Sequence, residues 1–201
     1  MRQVEAAIEK AKAMLSSHEY PDDLRTVIVA GMIDQAIEHH QAMLLLIRSG
    51  KVGSAFALAR SVSEGMYRGL WINLCATDAE LKKFEDKDDI ELGMGRLAEA
   101  IDTSYQTGGF YANLKKRSWD ALNSYTHTGM LQLGRRFTGH ELNPAYTEGE
   151  IFEITTSVTT CVLLLVMHFF QIQKLPDEAK AIEALIGTYG PAAKLRADRA
   201  S

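Results

Sequence analysis

The sequence predicts an all-α protein, an antiparallel bundle of about four long helices with short helices packed outside it. Three observations predict this. Apolar residues recur at helical spacing along most of the chain. Pro-acid pairs, Pro21-Asp22-Asp23 and Pro176-Asp177-Glu178, stand where helices should start. No strand-and-turn rhythm, Asn-Gly hairpin signal, internal repeat or low-complexity tract interrupts the pattern.

Each element has its own warrant. Val4, Ile8, Ala11 and Leu15 mark an amphipathic helix over Arg2 to Ser17. Pro21-Asp22-Asp23 opens a second helix that runs to Ser49, lined by Val27, Met32, Ile33, Ala36, Ile37, Met43, Leu44 and Ile47. Its length leaves room for a kink near Gly31, and Gly50 ends it. A third helix covers Val52 to Ala76. Thr77-Asp78 caps a short helix, Ala79 to Phe84, and Glu85 to Asp89 forms a charged link. Another helix follows over Ile90 to Ile101, up to the Gly108-Gly109 break. The next covers Phe110 to Phe137, with Gly129 as a point of interruption. Gly139 to Gly149 reads as a loop. Glu150 to Lys174 is a long apolar helix, although its Thr-rich start has strand propensity. Pro176 starts a last helix that ends near Gly187. The expectation is a single domain over residues 1–190 and a frayed tail over 191–201.

Composition narrows the function classes. With 201 residues the chain can bury a full core. A net charge of -4 argues against a general nucleic-acid coat and leaves only a local basic patch. Cys75 and Cys161 lie far apart in apolar runs and form no C-x-x-C, which suits free thiols in a reducing compartment. The Met1-Arg2-Gln3-Val4-Glu5 start has no signal-peptide core. The apolar run Cys161 to Met167 is too short for a bilayer. The expected setting is cytoplasmic, without a membrane.

The most informative segment is Arg60-Ser61-Val62-Ser63-Glu64. It places two opposite charges four residues apart on a helix that is apolar on nearly every side, where burial is expected. Buried charge is costly unless paired. At about 100° per residue, Arg60, Glu64, Tyr67 and Trp71 share a narrow sector. Such a stripe suits a pocket: Arg60 for an anion, Glu64 as base or orienter, Tyr67 and Trp71 as walls. It equally suits an i,i+4 ion pair that ties two helices together. His127 is the second candidate. Trp119, Asn123, Thr126, His127 and Met130 share a face, and Asn123 lies one turn ahead, where it can fix the His127 tautomer. Histidine suits proton transfer near neutral pH, and it also suits a packed interface. If Arg60, Glu64 and His127 meet, with Tyr67 and Tyr125 near, the group suits metal-free acid–base chemistry on a phosphate ester. Lys115-Lys116-Arg117 and Arg135-Arg136 could steer RNA to that face, or simply be solvated surface. Glu38-His39-His40 does not suit a metal, because neighbours on a helix point apart, and no metal or cofactor is expected. Nucleophile elbows and phosphate-binding Gly loops are absent.

Ala57-Leu58-Ala59-Arg60-Ser61-Val62-Ser63-Glu64 with Trp71 resembles a segment of uncharacterised bacterial helical-bundle families. These carry a motif similar to Tyr125-Thr126-His127-Thr128-Gly129, then a basic stretch like Arg135-Arg136 and a long apolar helix. The resemblance spans Gly53 to Phe170 and marks Arg60, Glu64 and His127 as family features. A more distant similarity is to HEPN-type helical domains, many of them metal-independent RNases of toxin or defence systems. Their Arg-to-His spacing is matched by Arg135 and His140, but Gly139 places His140 outside the helix.

Two functions follow as expectations. The first is an interaction or small-ligand and anion-binding module, with Tyr67, Trp71, Asn123 and Tyr125 as ligand-binding residues. It would be a homodimer, because the 150–174 helix is apolar on more sides than one neighbour covers, and a protein partner is compatible with it. The second is a HEPN-like RNase with Arg60, Glu64 and His127 as catalytic residues.

Overall fold

Apolar spacing becomes helix almost everywhere. The structure, a computed structural model, describes residues 1–189, and the tail expected over 191–201 lies outside them. The helices are α1 (Arg2–Leu15), α2 (Leu24–Arg48), α3 (Val52–Leu70), α4 (Asp78–Lys87), α5 (Met94–Tyr105), α6 (Phe110–Thr126), α7 (Met130–Gly134), α8 (Glu148–Ile172) and α9 (Pro176–Tyr189). A two-stranded hairpin, β1 (Phe137–Thr138) and β2 (Glu141–Leu142), stands between α7 and α8. The class is all-α.

Local chemistry sets the helix ends. Asp23 accepts from the Thr26 N–H at 3.0 Å and starts α2. Thr77 with Glu80 and Thr147 with Glu150 form reciprocal capping boxes on α4 and α8. Gly50, at φ +71, reverses the chain between α2 and α3. Gly31 produces no break: α2 is helical from end to end.

Four expectations need correction. The third helix stops at Leu70 and continues as a π-turn over Trp71–Cys75, where the Ala76 N–H reaches back to the Trp71 carbonyl. Arg25 on α2 holds this turn by donating to the carbonyls of Ile72 and Ala76. The helix expected over Ile90 to Ile101 runs instead from Met94 to Tyr105, because Gly93 is extended and Gln106 takes the left-handed region at φ 54. The helix expected to reach Phe137 ends at Thr126, since Thr128 turns left-handed at φ 55. The 139–149 loop begins as a hairpin turn, with Phe137 opposite Leu142 and Gly139 at φ +63.

The core is one apolar cluster that runs from Ala7 on α1 to Ile182 on α9. At its centre, α3 packs on α2, α5, α6 and α8. The most apolar window of α8 is 67% buried, against α1, α2, α3 and α9 of the same chain. Helices of the same chain therefore cover most of this window of α8. Where Gly69 of α3 faces α8, a Cβ on it would stand 2.8 Å from Leu165 Cδ1.

Candidate functional site

The α3 stripe faces α6. Arg60 donates to His127 Nε2, and its guanidinium carbon lies 5.4 Å from the centre of the Trp119 ring. Arg60 also stands 3.7 Å from Glu64, one turn along α3. Arg60, Glu64 and His127 therefore meet. Glu64 is closer to a residue that the sequence reading missed: Arg68 donates to it through Nε at 3.1 Å and Nη2 at 2.8 Å. The signal was present, because Arg68 is as far from Glu64 as Arg60 is. Burial of this cluster is incomplete. The side chains of Arg60 and Glu64 are 22% and 26% exposed, since α6 covers only one side of the stripe. The full desolvation expected from the sequence does not arise.

Arginine only donates, so His127 Nε2 accepts and the ring proton sits on Nδ1. Arg60 thus performs the task expected of Asn123. Among the described residues the buried Asn123 side-chain oxygen has no hydrogen-bond partner, and neither does Arg60 Nε. Trp71 is 4% exposed in the core, where it opens the π-turn. Tyr67 is buried and donates to the Tyr111 carbonyl at 2.9 Å, and burial pushes its hydroxyl up. Tyr125 packs edge-on against Phe56, with ring centres 5.0 Å apart.

The other side of α6 carries a feature that the sequence reading did not find. A cleft of about 660 Å³ runs between α6 and α8, with α3 as its floor. Phe56, Ser63, Met66 and Tyr67 rise from the floor, and Phe110, Leu114 and Leu122 line the α6 wall. The α8 wall bears Glu150, Glu153, Ile154, Ser157, Val158 and Cys161. Of the residues expected at a site, Tyr67 and Tyr125 line this cleft, whereas Arg60, Glu64, Trp71, Asn123 and His127 do not. Helix α6 separates the cleft from the Arg60 cluster, and Tyr67 links them because its ring also contacts Trp119. A sequence signal existed. Positions 110, 113, 114, 117, 118, 121, 122 and 125, and positions 150, 153, 154, 157, 158 and 161, each form one helical face of mixed polarity. Cys161, on the α8 wall, is 3.9 Å from Ser63 Oγ, and burial pushes its thiol up to about 11.

A polar network fixes the α6 end of the cleft. Asp102 on α5 accepts from the N–H groups of Tyr111 at 2.9 Å and Ala112 at 2.8 Å. Tyr111 Oη pairs with His168 Nε2 at 2.7 Å, and His168 Nδ1 pairs with Gln171 at 2.7 Å. Burial lowers His168 to about 4.

The remaining candidates scatter. His40 is buried against Thr159 at 2.9 Å, while Glu38 is exposed, so the Glu38-His39-His40 run diverges. Among the described residues no group of three or more His, Cys, Asp or Glu side chains is placed to hold a metal ion. Arg135 pairs with Glu150, and Arg136 lies over Gly53. His140 is exposed in the hairpin turn, outside any helix.

Residues 33–194 match the sequence model of DUF6988, a family of unknown function. No curated protein and no solved structure matches the chain.

Proposed function

We propose, for a chain that belongs to the DUF6988 family of unknown function, that it is a binding module for a small, largely apolar molecule held between α6 and α8. The observation that carries this reading is the cleft. Its volume of about 660 Å³ suits a compact organic ligand, and sites of this kind combine apolar walls with a few polar groups. Aromatic rings of Phe56, Tyr67, Phe110 and Tyr125 supply flat apolar area. The Asp102 and His168 contacts favour a preformed cleft, because they hold α6 without help from a ligand. The test is calorimetric titration of the full chain with small aromatic and aliphatic compounds. Binding is expected in the wild type and is expected to vanish in Ala121→Trp, which fills the cleft from α6. Absence of binding by every compound, or equal binding by Ala121→Trp, would reject the reading.

A second reading, a metal-independent RNase of HEPN-like type, is favoured by one observation: Arg60 and His127 are in direct contact. In that reading Arg60 stabilises phosphate charge, His127 moves the proton and Glu64 orients Arg60. The Arg60 contact occupies His127 Nε2, so the chemistry requires the pair to part when RNA arrives. RNA cleavage without added metal, lost in His127→Ala, tests it.

A further inference from the structure

Exposed apolar surface is concentrated in one segment. Of the eleven large hydrophobic side chains exposed among the described residues, five lie within 130–142: Met130, Leu131 and Leu133 on α7, Phe137 on β1 and Leu142 on β2. Single exposed apolar residues need no explanation, whereas a patch of several hundred Å² marks a contact surface. Met130 and Leu133 are three apart on α7 and share a face. Phe137 stands directly opposite Leu142, so both side chains leave the same face of the hairpin. The ribbon is two pairs long, and both of these side chains are open to solvent. A ribbon so short depends on whatever covers its apolar face. None of the five residues lines the cleft, so this surface is separate from the ligand site.

Area and charge choose the occupant. The exposed parts of the five side chains amount to about three whole ones, on the order of 600 Å² at roughly 150–250 Å² for a large side chain. Two copies that meet by this patch bury about 1,200 Å² together, the lower bound of a specific interface. A second copy brings an apolar face of the same extent. The segment is also electrically balanced. Arg135 pairs with Glu150, which leaves Arg136 and Glu141 exposed with opposite signs. A polyanion or an anionic lipid surface would need an excess of positive charge. A second copy offers each of these two charges its opposite about a two-fold axis.

We propose that residues 130–142 form a homodimer interface, in which the α7–hairpin segments of two copies pack by a two-fold contact centred on Met130, Phe137 and Leu142. Arg135 ties this segment to Glu150 of the cleft, so the contact braces that end of the cleft from outside. Sedimentation equilibrium of the full chain over about 1–200 μM tests it, a range that brackets the weak affinity of a small interface. The mass is expected to rise from one chain to two and to stop there. Met130→Glu and Leu142→Glu replace side chains that are 78% and 80% exposed. Each variant is expected to keep the circular dichroism and urea midpoint of the wild type and to associate at least about 10-fold more weakly, because the contact would bury an unpaired charge. Phe152→Glu, at an exposed position of α8 outside the segment, is expected to dimerise like the wild type. A wild type that stays monomeric over the whole range, growth past two chains, or undiminished dimerisation of Met130→Glu and Leu142→Glu would each overturn the proposal. So would a dimer lost as readily in Phe152→Glu as in Leu142→Glu. A monomer that binds phosphatidylcholine vesicles through Leu142 would give the face to lipid and overturn it as well.

Discussion

Asp102 on α5 caps α6 through Tyr111: its Oδ1 accepts the Tyr111 N–H at 2.9 Å while Oδ2 takes that of Ala112 at 2.8 Å. One carboxylate from a neighbouring helix satisfies two of the donors that the first turn of α6 cannot satisfy itself. The same turn bears Phe110, at one end of the cleft. Asp102→Ala should therefore cost about 1–3 kcal/mol, somewhat above an ordinary cap because a charged acceptor and two donors are lost together. Urea unfolding of the variant checks the value, and a cost below about 0.5 kcal/mol would contradict this role for the cap.

Acid should unfold the protein early. Burial lowers both His40 and His168 to about 4, from an ordinary value near 6.5. The unfolded chain therefore takes up protons that the folded chain refuses. Stability is full above about pH 6.5–7 and falls as pH drops toward 4, at up to about 1.4 kcal/mol per pH unit for each histidine. The whole window is worth roughly 3 kcal/mol per residue. Urea midpoints at pH 7.5 and pH 5, for the wild type and for His168→Asn, read this directly: the variant should lose less stability on acidification.

Two glycines of α3 should respond oppositely to alanine. At Gly65 an added Cβ meets nothing within 4 Å, so Gly65→Ala gains helix propensity and should stabilise by about 0.5–1 kcal/mol. At Gly69 the added methyl would stand 2.8 Å from Leu165 Cδ1, and Leu165 is fully buried. Overpacking there costs about 1–3 kcal/mol, and the propensity gain offsets only part of it. Thermal unfolding of the pair should show Tm shifts of opposite sign.

The Arg60 cluster should contribute modestly to stability. Its charges are partly exposed, and Glu64 keeps Arg68 when Arg60 is removed. Arg60→Ala, which also loses the Trp119 contact, should cost about 1 kcal/mol, and Glu64→Gln and His127→Ala less than that. Losses of about 3–5 kcal/mol in all three by urea unfolding would instead mark a buried ionic network.

Much of the fold was legible in the sequence because it is local. Thr77 announces its helix through a side chain that bonds three residues on, and Gly50 announces the α2–α3 reversal. The misread ends share another cause. The π-turn at Trp71–Cys75 is held by Arg25, 47 residues earlier in the chain, and no periodicity encodes that contact. The left-handed turns at Gln106 and Thr128 occur at residues that do not require them, so no residue type gave them away.

The candidate site divides along the same line. The sequence by itself determined that Arg60, Glu64, Tyr67 and Trp71 leave α3 in one sector, since helical geometry places them there. It determined the helical class and the apolar character of α8. Only the tertiary structure decided that Arg60 takes His127 as its partner, that Trp71 enters the core through a π-turn, and that α8 is covered by helices of its own chain. It alone decided that α6 stands off α8 and leaves a cleft over α3. A helix face is set by residues three and four apart. The space between two faces is set by how a third helix, remote in sequence, holds them at a distance.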